Sequence, residues 1–302
     1  MSVVMVAGSS GLVGRALVHA LELRGDKVRR LVRSLPRSSD EFLWDPASGQ
    51  IPSEALEGVD AVVNLCGTGI ADGRWTAKRK RSILSSRVDA TRLLAESCAP
   101  SRVGVLVNAS AIGFYGDRDE AWLTESSAPG GGFLADTCVS WEAAACPAEE
   151  SGTRVVRTRF GLVVSPSGGA VERMAMAYRW GLGGPLGSGR QWVSWIHLED
   201  VVGGILHVLD ETSVRGPVLF TSASPVRQTE FAKALGRALH RPAVLPLPGR
   251  ILSLLLGDMG RELLLFSQRC RPEVLMRSGY RFRHPDLDGA LQEFAGRGRG
   301  RD

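Results

Sequence analysis

The sequence predicts an α/β fold in which helices cover both faces of a doubly wound parallel sheet, with a small, mostly helical lobe at the C-terminus. Apolar runs with strand character alternate with segments of helical periodicity over the first two-thirds of the chain. A glycine-rich turn joins the first apolar run to the first helical segment, as in sheets that bind dinucleotides. From residue 229 onward the pattern is mostly helical, apart from a proline-rich break at 242–248.

The strands are predicted from short apolar runs that turn residues bound on either side. A short extended segment and a turn are expected at 41–49, and a further short strand is expected at 192–197. The strands predicted for the main sheet are residues 3–7, 27–33, 61–65, 103–109, 154–164 and 218–222.

The helices are predicted from apolar residues that recur at helical spacing. Ile83, Leu84, Val88 and Leu94 follow this spacing and predict a helix over 76–99. The segment 181–189 contains too much glycine for a helix or a central strand, so we expect an ordered loop near a site. The other helices predicted before residue 229 are 15–24, 136–150 and 198–210.

The composition is that of an ordinary globular protein, because 44% of the 302 residues are hydrophobic and 23% are charged. No apolar run predicts a membrane-spanning helix. The first strand leaves no room for a signal peptide, which predicts a cytoplasmic protein. The net charge of +5, from 33 arginines and four lysines, favours an anionic cofactor or substrate. Nucleic-acid binding is not predicted, since the densest basic run, 78–81, is expected to be a solvated helix face.

The five cysteines predict reduced structural thiols. They are scattered along the chain, odd in number, and no pair has the spacing of metal ligands. We therefore expect neither a disulfide framework nor a metal site.

The stretch from Val4 to Gly14 predicts a phosphate-binding turn, because three glycines spaced three apart join a buried strand to a helix. Gly8 allows the sharp turn, Gly11 lets a pyrophosphate approach the backbone, and Gly14 lets the helix pack on the strand. An ordinary strand–helix turn is the alternative reading. The residues predicted to bind the cofactor here are Gly8, Ser10, Gly11, Leu12, Val13 and Gly14.

The end of the second predicted strand favours NADP over NAD. Sites that prefer NAD place an acidic residue there to bind the ribose 2′-hydroxyl. This chain has Val32, Arg33 and Ser34 instead, and an arginine suits a 2′-phosphate through bidentate hydrogen bonds. The alternative is a solvated arginine in an arginine-rich protein.

The ends of the next two strands are also predicted to contact the cofactor, because ligands of open α/β sheets bind at the carboxyl edge. Asn64-Leu65-Cys66-Gly67 closes one strand, and its small residues let the backbone pass close to a ribose. Arg87, on the following helix, could reach the cofactor or remain a surface arginine. Ala109 and Ser110 end the next strand at the same edge.

These motifs resemble the extended, epimerase/dehydratase-like branch of the short-chain dehydrogenase/reductase superfamily. The chain is most similar to an atypical, sugar-nucleotide epimerase-like group called epimerase family proteins. The residues that carry the resemblance are the glycine turn at 8–14, Asn64–Gly67, Ser86-Arg87, Trp141-Glu142 and the long run from Gly181 to His197.

The resemblance implies a Rossmann fold with NADP(H) bound along the carboxyl edge of the sheet. It also implies an NAD(P)-binding domain over 1–228 and a small helical domain over 229–302 that completes the substrate side. Residues 245–294 look like a domain of unknown function that accompanies this group. Many superfamily members pair through the helices that correspond here to 76–99 and 136–150, which implies a homodimer.

The catalytic residues of the superfamily are only partly present. Active members use a Ser, a Tyr and a Lys four residues after the Tyr, and the Tyr exchanges a proton with the substrate. No Tyr-x-x-x-Lys occurs in this chain, and the alignment on Trp141 places Leu134 and Cys138 at the two positions. Ser110 matches the serine.

Two further residues are candidate proton donors, because no tyrosine occupies the usual position. Tyr115 is the tyrosine nearest to Ser110 and could act as a substitute acid, or it could shape the pocket. His197 is another candidate acid, with ordering of its loop or pairing with Asp200 as the alternative. Ser110 and Tyr115 are therefore the predicted catalytic residues.

Two functions follow from this reading. The first is an NADP-dependent oxidoreductase or epimerase that acts on an unidentified small carbonyl or sugar-like substrate. The second is a catalytically degenerate NADP(H)-binding sensor or scaffold protein, which the missing Tyr and Lys favour.

Overall fold

The computed structural model describes residues 1–298, so residues 299–302 of the second predicted domain lie outside it. The strands are β1 (Val3–Ala7), β2 (Lys27–Val32), β3 (Glu41–Leu43), β4 (Ala61–Asn64), β5 (Val105–Ala111), β6 (Trp122–Leu123), β7 (Arg154–Phe160), β8 (Leu162–Val164), β9 (Trp192–Val193), β10 (Trp195–His197), β11 (Gly216–Phe220), β12 (Val226–Arg227) and β13 (Arg269–Cys270).

The α-helices alternate with the strands of the main sheet and then dominate the C-terminal part. They are α1 (Leu12–Arg24), α2 (Ala77–Ser101), α3 (Phe133–Ala143), α4 (Cys146–Glu150), α5 (Ala170–Arg179), α6 (Leu198–Asp210), α7 (Gln228–Leu239), α8 (Gly249–Leu256), α9 (Asp258–Gly260), α10 (Glu273–Arg277) and α11 (Leu287–Gly298). Short 3-10 turns occupy Ser53–Ala55 and Ile112–Tyr115, and a π-helical turn occupies Arg261–Leu265.

Within the described residues the main sheet has seven strands, in the order β11-β7-β5-β4-β1-β2-β3, and all of them run parallel. The strand order reverses direction between β1 and β4, so the carboxyl ends of these two strands border a crevice. The predicted doubly wound α/β fold is therefore confirmed.

The sheet is buried on both faces, which explains the continuous apolar runs of its central strands. On β1, Val4 and Val6 pack with α1 and α6, whereas Met5 faces the opposite core beneath α2. These two cores hold the strand ends, and thus the site at the carboxyl edge, in fixed positions.

Two predicted elements are divided in the structure. The strand expected at 154–164 breaks at Gly161, where a β-carbon would lie 2.6 Å from the carbonyl oxygen of Ser194. Beyond that residue β8 leaves the main sheet and pairs with β10. The helix expected at 136–150 begins at Phe133 and is interrupted after Ala143, and a second helix starts with Pro147 in its first turn.

The C-terminal part packs on the sheet through its helices. Phe231 of α7 and Leu291 of α11 share a core with α5 and β8. The glycine-rich loop at 181–189 is ordered, as expected, since Leu186 forms a bridge with Leu247 and the amide of Leu245 donates to Gly183. No helix within residues 1–298 is long and apolar enough to cross a membrane.

Candidate functional site

The turn between β1 and α1 needs its glycines for close packing. Gly8 has a φ of +81°, and a β-carbon there would lie 2.8 Å from the carbonyl oxygen of Leu65. A β-carbon on Gly14 would lie 2.2 Å from the carbonyl oxygen of Gly8. Gly11 is different, because its β-carbon would meet only that same oxygen, at 3.3 Å. The first and third glycines thus build the turn, and the second leaves its outer surface open.

The first turn of α1 is suited to bind an anion. Gly11 is the N-cap, no side chain within residues 1–298 caps the helix, and no acidic residue lies in its first turn. The first amides of a helix lack intrahelical acceptors and lie at the positive end of the helix dipole. Ser10 and Gly11 are exposed, and Leu12 and Val13 are half-buried, so an anion can reach these amides from solvent.

Arg33 lies just beyond the carboxyl end of β2 and is exposed. No hydrogen bond or ion pair joins its side chain to another residue in the described part of the chain. A cavity of about 650 Å³ adjoins it, with Trp44, Gln50 and Ile51 in its lining. This arrangement leaves a guanidinium available to an anionic ligand beside a cavity of small-molecule size.

Cys66 lies just after the carboxyl end of β4, near the charge of Arg33. Burial raises the pKa of its thiol to about 12, and the positive charge of Arg33 partly opposes that shift. The amide of Cys66 donates to Oδ1 of Asn64 at 3.1 Å, which fixes the turn after the strand. Cys66 is therefore a neutral thiol in the wall of the crevice.

The side chain of Asn64 belongs to a buried polar network. Its Nδ2 donates to Oδ1 of Asn108 at 2.7 Å and to the hydroxyl of Thr91 at 2.9 Å. Trp141 Nε1 also donates to the Thr91 hydroxyl, at 2.9 Å. The network ties β4, β5, α2 and α3 together beneath the crevice. Because the side-chain amide of Asn64 is used in this network, only the backbone of Asn64 and Leu65 remains to contact a ligand in this segment.

Arg87 lies against Gly67 at the edge of the crevice. A β-carbon on Gly67 would be 2.9 Å from the guanidinium carbon, so only glycine leaves room for this arginine. One nitrogen donates to the carbonyl of Ile83 at 3.0 Å, and the group lies 5.1 Å from the ring centroid of Trp141. Burial lowers the pKa of Arg87, an effect that the thiol of Cys138 opposes. No carboxylate within residues 1–298 pairs with it, so Arg87 is a half-buried cation with capacity for an anion.

Ser110 and Tyr115 are joined by a buried chain of polar groups. The Ser110 hydroxyl donates to Glu142 Oε1 at 2.7 Å, and Arg159 binds both oxygens of that carboxylate at 2.8 Å each. Arg159 also donates to the Tyr115 hydroxyl at 2.8 Å, and this hydroxyl donates to the carbonyl of Thr124 at 2.9 Å. Arg159 reaches Ser110 because the two residues are register partners on β5 and β7.

The burial of Tyr115 bears on its predicted role. Its side chain is fully buried, and burial raises the pKa of its phenol well above the usual range. The hydroxyl already has a donor and an acceptor inside the protein. This placement favours a structural role for Tyr115 over that of a proton donor.

Leu134 and Cys138 lie beside the end of β5. A β-carbon on Gly113 would lie 3.2 Å from Leu134 Cβ and 3.8 Å from Cys138 Sγ. Cys138 also contacts Ser110, and burial raises the pKa of its thiol to about 12. The positions that the resemblance assigns to the Tyr and the Lys thus hold an apolar side chain and a neutral thiol.

The segment after β4 borders the crevice and is held by charged side chains. The carboxylate of Asp72 accepts from Arg173 of α5 at 2.6 Å and lies 3.8 Å from Arg79 of α2. The loop before α5 lies against α1, since a β-carbon on Gly169 would be 3.1 Å from a methyl group of Leu12. The start of α5 thus contacts both the segment after β4 and the first turn of α1.

His197 lies at the end of β10 and is 1% exposed. Its Nδ1 accepts from the amide of Glu199 at 3.3 Å, so it caps α6 instead of pairing with Asp200. Asp200 accepts from Tyr280 and from the amides of Arg283 and His284. Burial, followed by the neighbouring charge of His284, lowers the pKa of His197, so its ring is neutral at pH 7.

Sequence reasoning missed Glu142 and Arg159 as members of the site. Glu142 was visible only as part of the Trp141-Glu142 motif. Arg159 gave little signal, because β7 carries three arginines (Arg154, Arg157 and Arg159) and the sequence does not show which of them is buried against a carboxylate.

The residues at the carboxyl edge fit a dinucleotide cofactor with a 2′-phosphate. The turn at Gly8–Gly14 leaves the amides of α1 open to a pyrophosphate, and Gly11 adds no β-carbon in their way. The side chain of Arg33 has no hydrogen-bond or ion-pair partner among residues 1–298 and adjoins a cavity. Arg87 offers a second cation at the ends of β4 and β5.

Comparison with known proteins agrees with this fit. The model of the NAD dependent epimerase/dehydratase family matches residues 4–218, and that of a domain of unknown function (DUF1731) matches residues 247–294. The chain is 44% identical to Epimerase family protein Mb2239 of Mycobacterium bovis, with 96% of each chain covered. It is 35% identical to Epimerase family protein YfhF of Bacillus subtilis, over 96% of this chain and 97% of that protein.

The fold is also similar to that of a solved human protein. A crystal structure of human epimerase family protein SDR39U1 (isoform 2) with NADPH superimposes with a TM-score of 0.89 and 33% sequence identity. The superposition covers 97% of this chain and 99% of the human chain. The similarity therefore extends over the crevice and the C-terminal helices alike.

Proposed function

Because the chain belongs to the NAD dependent epimerase/dehydratase family, we propose that it binds NADP(H) and acts as an oxidoreductase or epimerase on a small carbonyl or sugar-like substrate. The observation that carries the proposal is a pair of cations that flank the open turn after β1, Arg33 beyond β2 and Arg87 against Gly67 after β4, neither of which pairs with a carboxylate within residues 1–298. The human relative SDR39U1, which was crystallised with NADPH, supports the choice of cofactor.

The proposed cofactor contacts follow the carboxyl edge of the sheet. The amides of Leu12 and Val13 bind the pyrophosphate, and Gly11 lets it approach. Arg33 binds the 2′-phosphate, with Val32 and Ser34 beside it. The contacts proposed for the rest of the cofactor are those of Gly8, Ser10, Gly14, Asn64, Leu65, Cys66, Gly67, Arg87, Ala109 and Ser110.

The chemistry that the residues of this chain can supply is mainly electrostatic. A bound nicotinamide would donate or accept a hydride. We propose that Arg87 stabilises the negative charge that develops on a substrate oxygen, because its guanidinium is half-buried and pairs with no carboxylate in the described part of the chain. Its charge lies beside Cys138, the position that the resemblance assigns to the lysine.

Ser110 is proposed to orient groups at the site more than to transfer a proton. Its hydroxyl proton is held by Glu142, whose carboxylate is in turn fixed by Arg159. Tyr115 is held in the same way by Arg159 and the carbonyl of Thr124. We therefore propose water as the source of the proton, with Ser110 fixing the floor of the site.

Turnover tests this proposal. The purified protein is mixed with NADPH and a panel of aldehydes, ketones and keto-sugars, and the loss of NADPH absorbance is followed. We expect substrate-dependent oxidation that falls at least tenfold in Arg87→Ala and stays within twofold in Arg92→Ala, an exposed arginine on the same helix. The absence of NADPH oxidation across the panel, with NADPH bound, would reject the oxidoreductase. An epimerase regenerates its cofactor, so the absence of a new sugar epimer in the same mixtures would reject the epimerase.

A second function is favoured by Leu134 and Cys138, which put an apolar side chain and a neutral thiol at the positions that the resemblance assigns to the Tyr and the Lys. In this alternative the chain is an NADP(H)-binding sensor or scaffold. The same panel separates the two, since a sensor binds NADPH without oxidising it. Substrate-dependent turnover that requires Arg87 would reject the sensor.

We also propose that the protein is a cytoplasmic homodimer. The support is that α2 contacts both α3 and α4, so the helices named by the resemblance lie side by side. Light scattering on the purified chain tests the dimer. A mass of one chain would reject it.

A further inference from the structure

Four side chains that can bind a metal meet where the C-terminal helices contact the N-terminus of α6. His197 ends β10 and Glu199 lies in the first turn of α6, whereas His284 precedes α11 and Glu293 lies on it. One potential ligand atom from each lies within 4.8 Å of the other three. The cluster therefore joins two parts of the chain that are about 90 residues apart in sequence.

His284 lies from both carboxylates at the distance that separates two ligands of one ion. Nε2 of His284 lies 3.3 Å from Oε2 of Glu199 and 3.4 Å from Oε2 of Glu293. Ligands bound to Zn²⁺ at about 2.1 Å in a tetrahedron are separated by about 3.4 Å. The three side chains are half-buried, so an ion can enter from solvent while the protein still holds it.

His197 provides an independent indication of a ligand at this position. Its ring is buried against His284, with the ring centroids 3.9 Å apart. Because its Nδ1 accepts from the Glu199 amide, the ring proton of the neutral form is on Nε2. That buried Nε2 has no hydrogen-bond partner within residues 1–298. A buried donor without an acceptor is rare in a native protein. The missing partner of His197 Nε2 therefore points to an acceptor that binds to the protein at this position.

A metal-free arrangement explains less. A protonated His284 could bridge the two carboxylates and account for the distances of 3.3 and 3.4 Å. It would offer no acceptor to Nε2 of His197, because both ring nitrogens of an imidazolium are donors. A metal-bound water supplies that acceptor.

We propose that His284, Glu199 and Glu293 bind one divalent transition-metal ion, with Zn²⁺ as the preferred ion, and that His197 donates to the water on it. The ion joins the start of α6 to α11 and thus attaches the C-terminal helices to the sheet. Zn²⁺ binds imidazole and carboxylate groups. Side chains that do not bind a metal themselves often form hydrogen bonds to its ligands, as His197 would to the bound water.

Zinc titration of the full chain tests this site. The protein is dialysed against EDTA, then into chelator-free buffer, and titrated with ZnCl₂ by calorimetry in the absence of cofactor. We expect one equivalent to bind and the unfolding temperature to rise by about 5 °C at a hundredfold excess over Kd. His284→Ala and Glu293→Gln should each weaken binding at least about tenfold.

Matched controls separate this site from adventitious binding. His19→Ala and Glu96→Gln change an exposed histidine and an exposed glutamate elsewhere, and both should bind Zn²⁺ as the parent does. Glu293→Gln is nearly isosteric, so its loss of binding should occur in a folded chain. No saturable binding at one equivalent, or equal binding by the parent and His284→Ala, would overturn the proposal.

Cobalt reports on His197 separately. Co²⁺ in a tetrahedral site absorbs visible light strongly, so the parent should become coloured with one equivalent of CoCl₂. His197→Phe should still bind one equivalent but shift the absorption, because the water loses its donor. An identical spectrum would remove His197 from the proposal.

Discussion

The guanidinium of Arg87 lies directly over Gly67, so close that a β-carbon on residue 67 would be 2.9 Å from the guanidinium carbon. The pair places a half-buried positive charge at the carboxyl ends of β4 and β5, beside Cys138. The usual site of this superfamily places a lysine there. The chain thus keeps a cation in this region of the crevice but supplies it from α2.

This relationship predicts that Gly67→Ala acts through Arg87. The added methyl group displaces the guanidinium, so turnover should fall about as far as in Arg87→Ala, by at least tenfold, with little change in unfolding temperature. Steady-state kinetics and thermal unfolding of both variants and the double variant test this. If the two effects multiply in the double variant, the methyl group does not act through Arg87.

Substitutions at two glycines of the turn should have different effects, one on folding and the other on cofactor binding. Gly14→Ala introduces a contact of 2.2 Å with backbone and should destabilise the chain by about 3 kcal/mol. Gly11→Ala meets only one atom, at 3.3 Å, and should leave the free energy of unfolding within about 1 kcal/mol while it abolishes NADPH binding. Urea unfolding and NADPH titration measure the two effects. A Gly11→Ala variant that binds NADPH normally would show that the phosphate lies elsewhere.

The buried chain from Ser110 to Tyr115 should matter more for stability than for chemistry. Glu142→Gln breaks a buried bidentate pair and should lower the free energy of unfolding by about 3 to 5 kcal/mol. Ser110→Ala removes one hydrogen bond and should cost about 1 kcal/mol, with turnover reduced less than tenfold. Urea unfolding and kinetics of the two variants decide this. A loss of turnover beyond a hundredfold in a stable Ser110→Ala protein would make Ser110 catalytic.

His197 should make the metal-free protein less stable in mild acid. Its pKa in the folded chain is lowered from 6.5 by burial first and by His284 second. The unfolded chain therefore binds more protons just below pH 6.5, and the free energy of unfolding should fall as the pH drops through that range. Urea unfolding in EDTA between pH 5 and 8 measures the slope. His197→Gln should flatten it, and His19→Ala should not; equal slopes in all three proteins would contradict the assignment.

The fold and the cofactor edge could be predicted from sequence because their signals are local. The periodicity of each strand, the spacing of the glycines and the position of Arg33 after β2 each depend on residues that are neighbours in the sequence. The break at Gly161 could not be predicted in this way. It depends on the carbonyl of Ser194, which a tertiary contact brings to the glycine.

The internal partners of the candidate site also depended on tertiary structure. Ser110 and Tyr115 carry hydroxyls that suggest chemistry, but their hydrogen bonds are set by Arg159, which the register of β5 and β7 brings beside them. The histidine and glutamate cluster was missed for a similar reason. His197 and His284 are 87 residues apart in the sequence and meet only in the folded chain, so no local spacing indicates the cluster.

The central claim is that this crevice holds NADP(H) and that Arg33 selects it through the 2′-phosphate. Calorimetric titration of the parent and of Arg33→Ala with NADPH and with NADH tests it most directly. We predict that the parent binds NADPH about 10 to 100 times more tightly than NADH, and that Arg33→Ala removes this difference by weakening NADPH alone. Equal affinities for the two cofactors in the parent, or an Arg33→Ala protein that keeps its preference for NADPH, would contradict the account.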